Sequence, residues 1–281
     1  MSTSSTPAPP REAPTASRAV AVAVPLAVAA ACVVALVELA QWVLSSRAGQ
    51  RLDQSSMEAV YGGSQAQRRV LDLLGNVSMG SAALVLAVCV VLALLRRRYA
   101  AALAAVVLVG GANLTTQALK RLLVREDFGN LTIVSLPSGH TTVAISLVLA
   151  ALLVVPRGLR LLTCLGGTLL AVVTGAGTVV AQWHRPADVV AAALVALAWG
   201  ALVAAVLAWG RPARLRWGGL PEMLASVLGA VAAGIVLVVA GVRPTGGWSG
   251  VGDAALTLTV MGAAVVIAVA LYARLSEPHS D

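Results

Sequence analysis

The chain has 281 residues, of which 59% are hydrophobic and only 11% charged, with a formal net charge of +8. A water-soluble domain of this length needs far more charge to cover its surface, so the composition excludes one and implies an integral membrane protein. Most of the positive charge is arginine lying between apolar runs, which suits topology signals and anionic headgroups and argues against a nucleic-acid partner.

Residues 1–18 are rich in Ser, Thr, Pro and Ala and read as a disordered cytoplasmic tail. Crossing ~30 Å of hydrocarbon takes ~20 apolar residues in a helix. That rule predicts eight spans: Ala19–Leu44, Leu71–Leu95, Ala100–Leu119, Thr141–Val155, Leu161–Gln182, Val189–Trp209, Met223–Gly241 and Ala254–Tyr272. The first is too long for a signal-peptide core and lacks a clear cleavage site. The fourth is short unless its polar start at Ser138 is included. Long Ala, Val and Leu runs show no alternation of the kind a membrane barrel needs, so the expected fold is an all-α bundle of about eight transmembrane helices. Residues 19–209 hold the first six predicted spans and 210–272 the last two, and 273–281 read as a cytoplasmic tail.

Arg96, Arg97 and Arg98 follow the second span, Arg157 and Arg160 the fourth, and Arg211, Arg214 and Arg216 the sixth. These loops share one side of an alternating path, which should be cytoplasmic, with both termini on that side. The opposing loops carry Arg47, Arg51, Arg68, Arg69, Arg121, Arg125, Arg185, Arg243 and the one lysine, Lys120. Trp42, Trp183, Trp209, Trp217 and Trp248 fall near span ends, as interfacial indoles should, and Trp199 alone lies mid-span. Cys32, Cys89 and Cys164 lie within apolar runs without disulfide or metal spacing.

Two polar strings interrupt this apolar pattern. In Pro137-Ser138-Gly139-His140, proline ends the preceding loop, serine is a good N-cap, and glycine lets a ligand approach the backbone. The helix then starts with unpaired N–H groups, a ready anion site, and His140 in its first turn could donate a proton. An ordinary capped helix with an interfacial histidine would look the same. In His184-Arg185-Pro186-Ala187-Asp188, the histidine and aspartate four residues apart share a helical face, and Pro186 suits a first turn. An aspartate bonded to one ring nitrogen fixes the tautomer and aims the other nitrogen for attack. The alternative is an aspartate complementing a helix dipole beside an interfacial histidine.

Asn113, Thr116, Gln117 and Lys120 form a polar stripe on the third span, and Thr174, Thr178 and Gln182 recur on the fifth. Interhelical hydrogen bonding accounts for the threonines; a phosphate contact accounts better for Lys120. Glu38 is the strongest candidate for a buried carboxylate. Acidic residues near the motifs are few, so no metal site is expected.

In this order the residues resemble the type 2 phosphatidic acid phosphatase superfamily, whose pattern is Lys-x6-Arg-Pro, then Pro-Ser-Gly-His, then Ser-Arg-x5-His-x3-Asp. The resemblance spans Lys120 to Asp188. The second motif matches fully and His184 and Asp188 match the third. Asp127 and Phe128 stand where the first motif has Arg-Pro, and Gly177 and Thr178 where the third has Ser-Arg. The resemblance implies a six-helix lipid-phosphatase-like core and a multi-pass plasma-membrane enzyme with an extracytoplasmic site. His184 would be the nucleophile, Asp188 its support and His140 the proton donor. Lys120, Arg125, Ser138 and Gly139 would bind phosphate, with Arg121, Arg185, Thr178 and Gln117 as auxiliary contacts. No cofactor and no metal are implied; the partner is a lipid phosphate or diphosphate in the bilayer. A phosphotransferase on the same scaffold and a non-catalytic lipid-phosphate-binding protein are the alternatives.

Overall fold

The computed structural model describes residues 18–75, 79–128, 135–210, 219–244 and 247–276. Residues 1–17 of the expected tail at 1–18, Arg211, Arg214, Arg216, Trp217 and residues 277–281 lie outside the described residues, and Arg18 begins the first helix.

All regular structure among the described residues is helical. The ten α-helices are α1 (Arg18–Ser45), α2 (Arg47–Ala59), α3 (Gly63–Gly75), α4 (Met79–Leu95), α5 (Tyr99–Leu122), α6 (Gly139–Val154), α7 (Arg160–Val180), α8 (Pro186–Gly210), α9 (Leu220–Val239) and α10 (Val251–Ser276). Six of them, α1, α5, α7, α8, α9 and α10, are long and apolar enough to cross a membrane. The expected second and fourth spans are shorter. At 1.5 Å per residue α4 reaches only about 26 Å and α6 about 24 Å.

The second span is also corrected at its start. Leu71–Gly75 ends α3, a separate helix, and α4 begins only at Met79. The stretch between the first two spans, a loop by hydropathy, forms two amphipathic helices. Ser46 caps α2, its Oγ accepting from Gly49 N–H at 3.0 Å, and Gly62 and Gly63, both at positive φ, turn the chain into α3. Span rules average hydropathy over a window and miss such short two-faced helices. A further correction concerns carboxylates: Glu38 is exposed on α1, and the buried ones are Asp53 of α2 and Asp188 of α8.

α8 is the bundle's centre, its surface largely alanine, and α1, α5, α6 and α10 pack on it. Small side chains let helix backbones approach where lipid supplies no hydrophobic drive between helices. The same device joins α9 to α7, where a Cβ on Gly229 would fall 2.2 Å from the Leu165 carbonyl oxygen. Large apolar side chains such as Leu84, Leu103, Val206, Leu228 and Ile267 point outward, as a lipid-facing surface requires. Mid-span Trp199 has a reason of its own: its indole N–H donates to Thr115 Oγ1 at 3.0 Å.

Leu44, Lys120 and Val180, near the ends of α1, α5 and α7, gather at one end of the bundle with the starts of α6, α8 and α10. The opposite end collects arginines. Arg96 donates to the Val154 carbonyl at 2.8 Å, and buried Arg160 donates to the carbonyls of Leu152 and Ala273. Arg18 bonds the Trp209 carbonyl there.

Candidate active site

Ser138 caps α6 as its sequence predicts, its Oγ accepting from Thr141 N–H at 3.4 Å and Thr141 Oγ1 at 2.9 Å. The N–H groups of Gly139 and His140 have no hydrogen-bond partner among the described residues. A Cβ on Gly139 would stand 3.7 Å from Lys120 Nζ and 3.9 Å from Gln117 Nε2. The glycine therefore keeps clear the space between the α6 N-terminus and the end of α5. The polar stripe on α5 faces α6 below it: Thr116 and Thr142 hydroxyls lie 3.0 Å apart, and Asn113 reaches Ser146 at 3.4 Å.

The second string packs against the first. Ser138 N–H donates to the Asp188 carbonyl at 3.0 Å, so the two motifs share a backbone hydrogen bond. Asp188 Oδ2 lies 2.9 Å from His184 Nδ1 and accepts from Arg185 N–H at 3.0 Å. Both side chains are buried. His184 Nδ1 is thereby engaged, and Nε2 is left for chemistry. The charges of His184 and Lys120 act on His140, and those of Asp188 on Lys120. His140 also packs its ring 5.7 Å from that of Trp183.

The backbone that presents His184 is unusual. Gln182 ends α7 with φ of 62°, in the left-handed region, and the chain then folds so that Trp183 and His184 N–H groups both point to the Thr178 carbonyl. The Thr178 hydroxyl donates to Gly175 O at 2.8 Å inside its own helix. Thr178 thus supports the turn through its backbone.

Arg125 and Arg185 are both buried at the site end. Arg185 Nε donates to Gln54 Oε1 at 3.2 Å and its guanidinium reaches Ser135 Oγ at 3.4 Å. Arg125 Nε is buried without a partner. Burial and the neighbouring Arg185 charge pull the Arg125 pKa below its ordinary value, opposed by Asp53 and Asp188. Arg121 and Gln117 are exposed on the last turns of α5, and Asp127 is exposed in the loop beyond.

Sequence reasoning missed what α2 contributes. Asp53 Oδ1 accepts from Ala187 N–H at 3.0 Å, Gln54 holds Arg185, and Gln50 Nε2 donates to the carbonyls of Leu44 and Glu126, each at 2.9 Å. Burial pushes the Asp53 carboxyl up to about 7; Ala187 N–H, Arg185 and Arg125 oppose the rise and Asp188 adds to it. Gln50, Asp53, Gln54 and Met57 recur at i, i+3, i+4 and i+7, a spacing that carried the signal for a polar face turned inward. Among the described residues no group of three or more His, Cys, Asp or Glu side chains could hold a metal ion.

Residues 125–212 match the family model of the PAP2 superfamily, in agreement with the resemblance carried by the motifs. Members of that superfamily are phosphoesterases, which supports a phosphatase-type reading of the site. No curated protein and no solved structure matches the chain.

Proposed function

From a chain whose residues 125–212 form a PAP2 superfamily region, we propose a membrane lipid phosphatase that hydrolyses a lipid phosphate or diphosphate at the extracytoplasmic face. The observation carrying this reading is the 2.9 Å contact between His184 Nδ1 and Asp188, packed against the Ser138-Gly139-His140 helix start. In the first step His184 Nε2 attacks phosphorus. The P–N bond forms as the P–O bond to the lipid breaks, and His140 gives its proton to the departing oxygen. Asp188 stabilises the positive charge that develops on the His184 ring. In the second step His140 takes a proton from water, whose oxygen attacks phosphorus. The P–N bond breaks, phosphate leaves, and His140 is again protonated for the next turnover.

Charge accumulates on the non-bridging oxygens in both steps, and donors aimed there supply the largest stabilisation. Lys120 and the free N–H groups of Gly139 and His140 are placed for this, with Ser138 holding the helix start. Arg125 and Arg185 take over the phosphate contacts that Asp127 and Thr178 cannot make, since both guanidiniums are buried at the site and one is incompletely bonded. Arg121, exposed beyond Lys120, serves as a headgroup contact.

Support for a lipid substrate comes from a cavity of about 430 Å³ along α4, α6 and α7. Val143, Ala144 and Leu147 line it and follow His140 by three, four and seven residues, so it continues the helical face of the proton donor into the apolar region. A hydrocarbon tail fits there with its phosphate at the helix start. Asp127 and Thr178 at the two family arginine positions favour a second reading, a lipid-phosphate-binding protein without turnover. Transfer of the phosphoryl group to an acceptor other than water uses the same first step.

The test is phosphate release by the purified protein from a panel of lipid mono- and diphosphates. Release that disappears in His184→Ala supports hydrolysis. Release by that variant at the wild-type rate sinks the mechanism. No release by the folded wild type from any lipid favours the binding reading.

A further inference from the structure

The family match begins at residue 125, so α2 lies wholly outside it. Yet α2 grips two of the segments that carry the site, the loop after α5 and the turn into α8. Gln50 holds the loop that follows Arg125 through the Glu126 carbonyl, Gln54 holds the Arg185 guanidinium, and Asp53 holds the first turn of α8 through Ala187 N–H. A buried carboxylate on an amphipathic surface helix is costly unless it is bonded and charge-balanced. Asp53 is 7% exposed, and both buried arginines act on it.

We infer that Asp53 is a positioning residue of the active site, fixing the α8 turn behind His184 and balancing the charge of the Arg125–Arg185 pair that binds the phosphate. The inference rests on the phosphatase reading for the identity of the anion. It assigns α2 a role in the chemistry that the motif region alone does not contain.

The charged groups facing Asp53 are few and on different segments. Arg125 comes from the loop after α5, Arg185 and Asp188 from the α8 turn, and Asp253 from α10, across a cavity of about 310 Å³ that Asp53 helps to line. When Asp53 is ionised it offsets one guanidinium charge, and anion affinity drops. When it is protonated, the arginine pair attracts an anion without that opposition. With the carboxyl pushed up to about 7, the change falls in the neutral range.

Sulfate binding to the full-length protein in detergent, between about pH 5.5 and 8.5, tests this, because sulfate keeps its charge throughout and needs no turnover. Asp53→Asn keeps an acceptor for Ala187 N–H without the charge, and Asp53→Ser is a second neutral variant should the first fail to fold. Wild-type affinity is expected to fall above neutral pH by roughly fivefold more than that of either variant. All other groups are common to the three proteins and cancel in the comparison. Identical pH dependence in wild type and a folded neutral variant, or no sulfate binding by wild type at any pH, overturns the inference.

Thermal stability gives an independent readout. Folding raises the Asp53 pKa from its ordinary value near 4 to about 7, so the folded state holds the proton more tightly. Its contribution to stability is therefore full at low pH and is lost as pH rises through that window. The neutral variants lack this loss; if they show it, the carboxyl does not titrate as inferred. Failure of the phosphatase reading looks different: wild type binds sulfate but releases no phosphate from any lipid.

Discussion

A single hydrogen bond decides what the third motif can do. Because Asp188 engages His184 Nδ1, the imidazole presents Nε2 as the nitrogen available for attack. The arginines around it differ from lysines in ways that matter. Arg185 donates from Nε to Gln54 and from its terminal nitrogen to Ser135, so its planar fork is held at two points. An ammonium group cannot reproduce both contacts. Arg185→Lys should therefore lower kcat/KM for lipid phosphate by about tenfold to a hundredfold while leaving net charge unchanged. Steady-state kinetics of the folded variant check this, and wild-type kinetics would show that Arg185 is only a headgroup anchor. His140, Ser138, Gly139, His184 and Asp188 were legible in the sequence because they are adjacent or spaced by one helical turn. Asp53 was not, since 134 positions separate it from Ala187 and only the fold brings them together.

The turn from α7 into α8 stores backbone strain where it is useful. Gln182 sits at φ of 62°, where a side chain crowds the backbone, and its amide donates to the carbonyls of Val179 and Met57 at 3.2 and 3.4 Å. This conformation costs an ordinary residue about 1–2 kcal/mol, and a β-branched one more. Gln182→Gly should fold with near wild-type stability, the relief of strain offsetting the lost amide bonds. Gln182→Val should lose about 2 kcal/mol and slow phosphate release, because the turn presents His184. Thermal unfolding and activity of the two variants decide it; equal behaviour would show that the turn does not depend on this conformation. The long spans were legible because bilayer thickness fixes their length, and the structure moves their ends by only a few residues. α2 and α3 were not, because their inward faces carry Gln50, Asp53 and Gln67 as well as apolar residues.

Taken whole, the bundle is polarised. One end carries both histidine motifs, Lys120 and the α2 strap; the other carries Arg18, Arg96, Arg97, Arg157 and Arg160. With Lys120, Arg121, Arg125 and Arg185 set aside for the site, the remaining arginines favour the proposal that the second end is cytoplasmic and the site extracytoplasmic. The three native cysteines are buried, so introduced ones report cleanly. Ser55→Cys on α2 should react with a membrane-impermeant thiol reagent in intact cells, and Arg157→Cys only after permeabilisation. The reverse pattern would put the site on the cytoplasmic side.

The proposed mechanism requires a phosphoryl group carried by His184. The most direct measurement is an alkaline quench of the purified protein during turnover of a lipid diphosphate bearing a radiolabelled terminal phosphate. The account predicts label on the wild-type protein that survives alkali, is lost in acid, and is absent from His184→Ala. Phosphate release by wild type with no such label, or with the same label on His184→Ala, would contradict it.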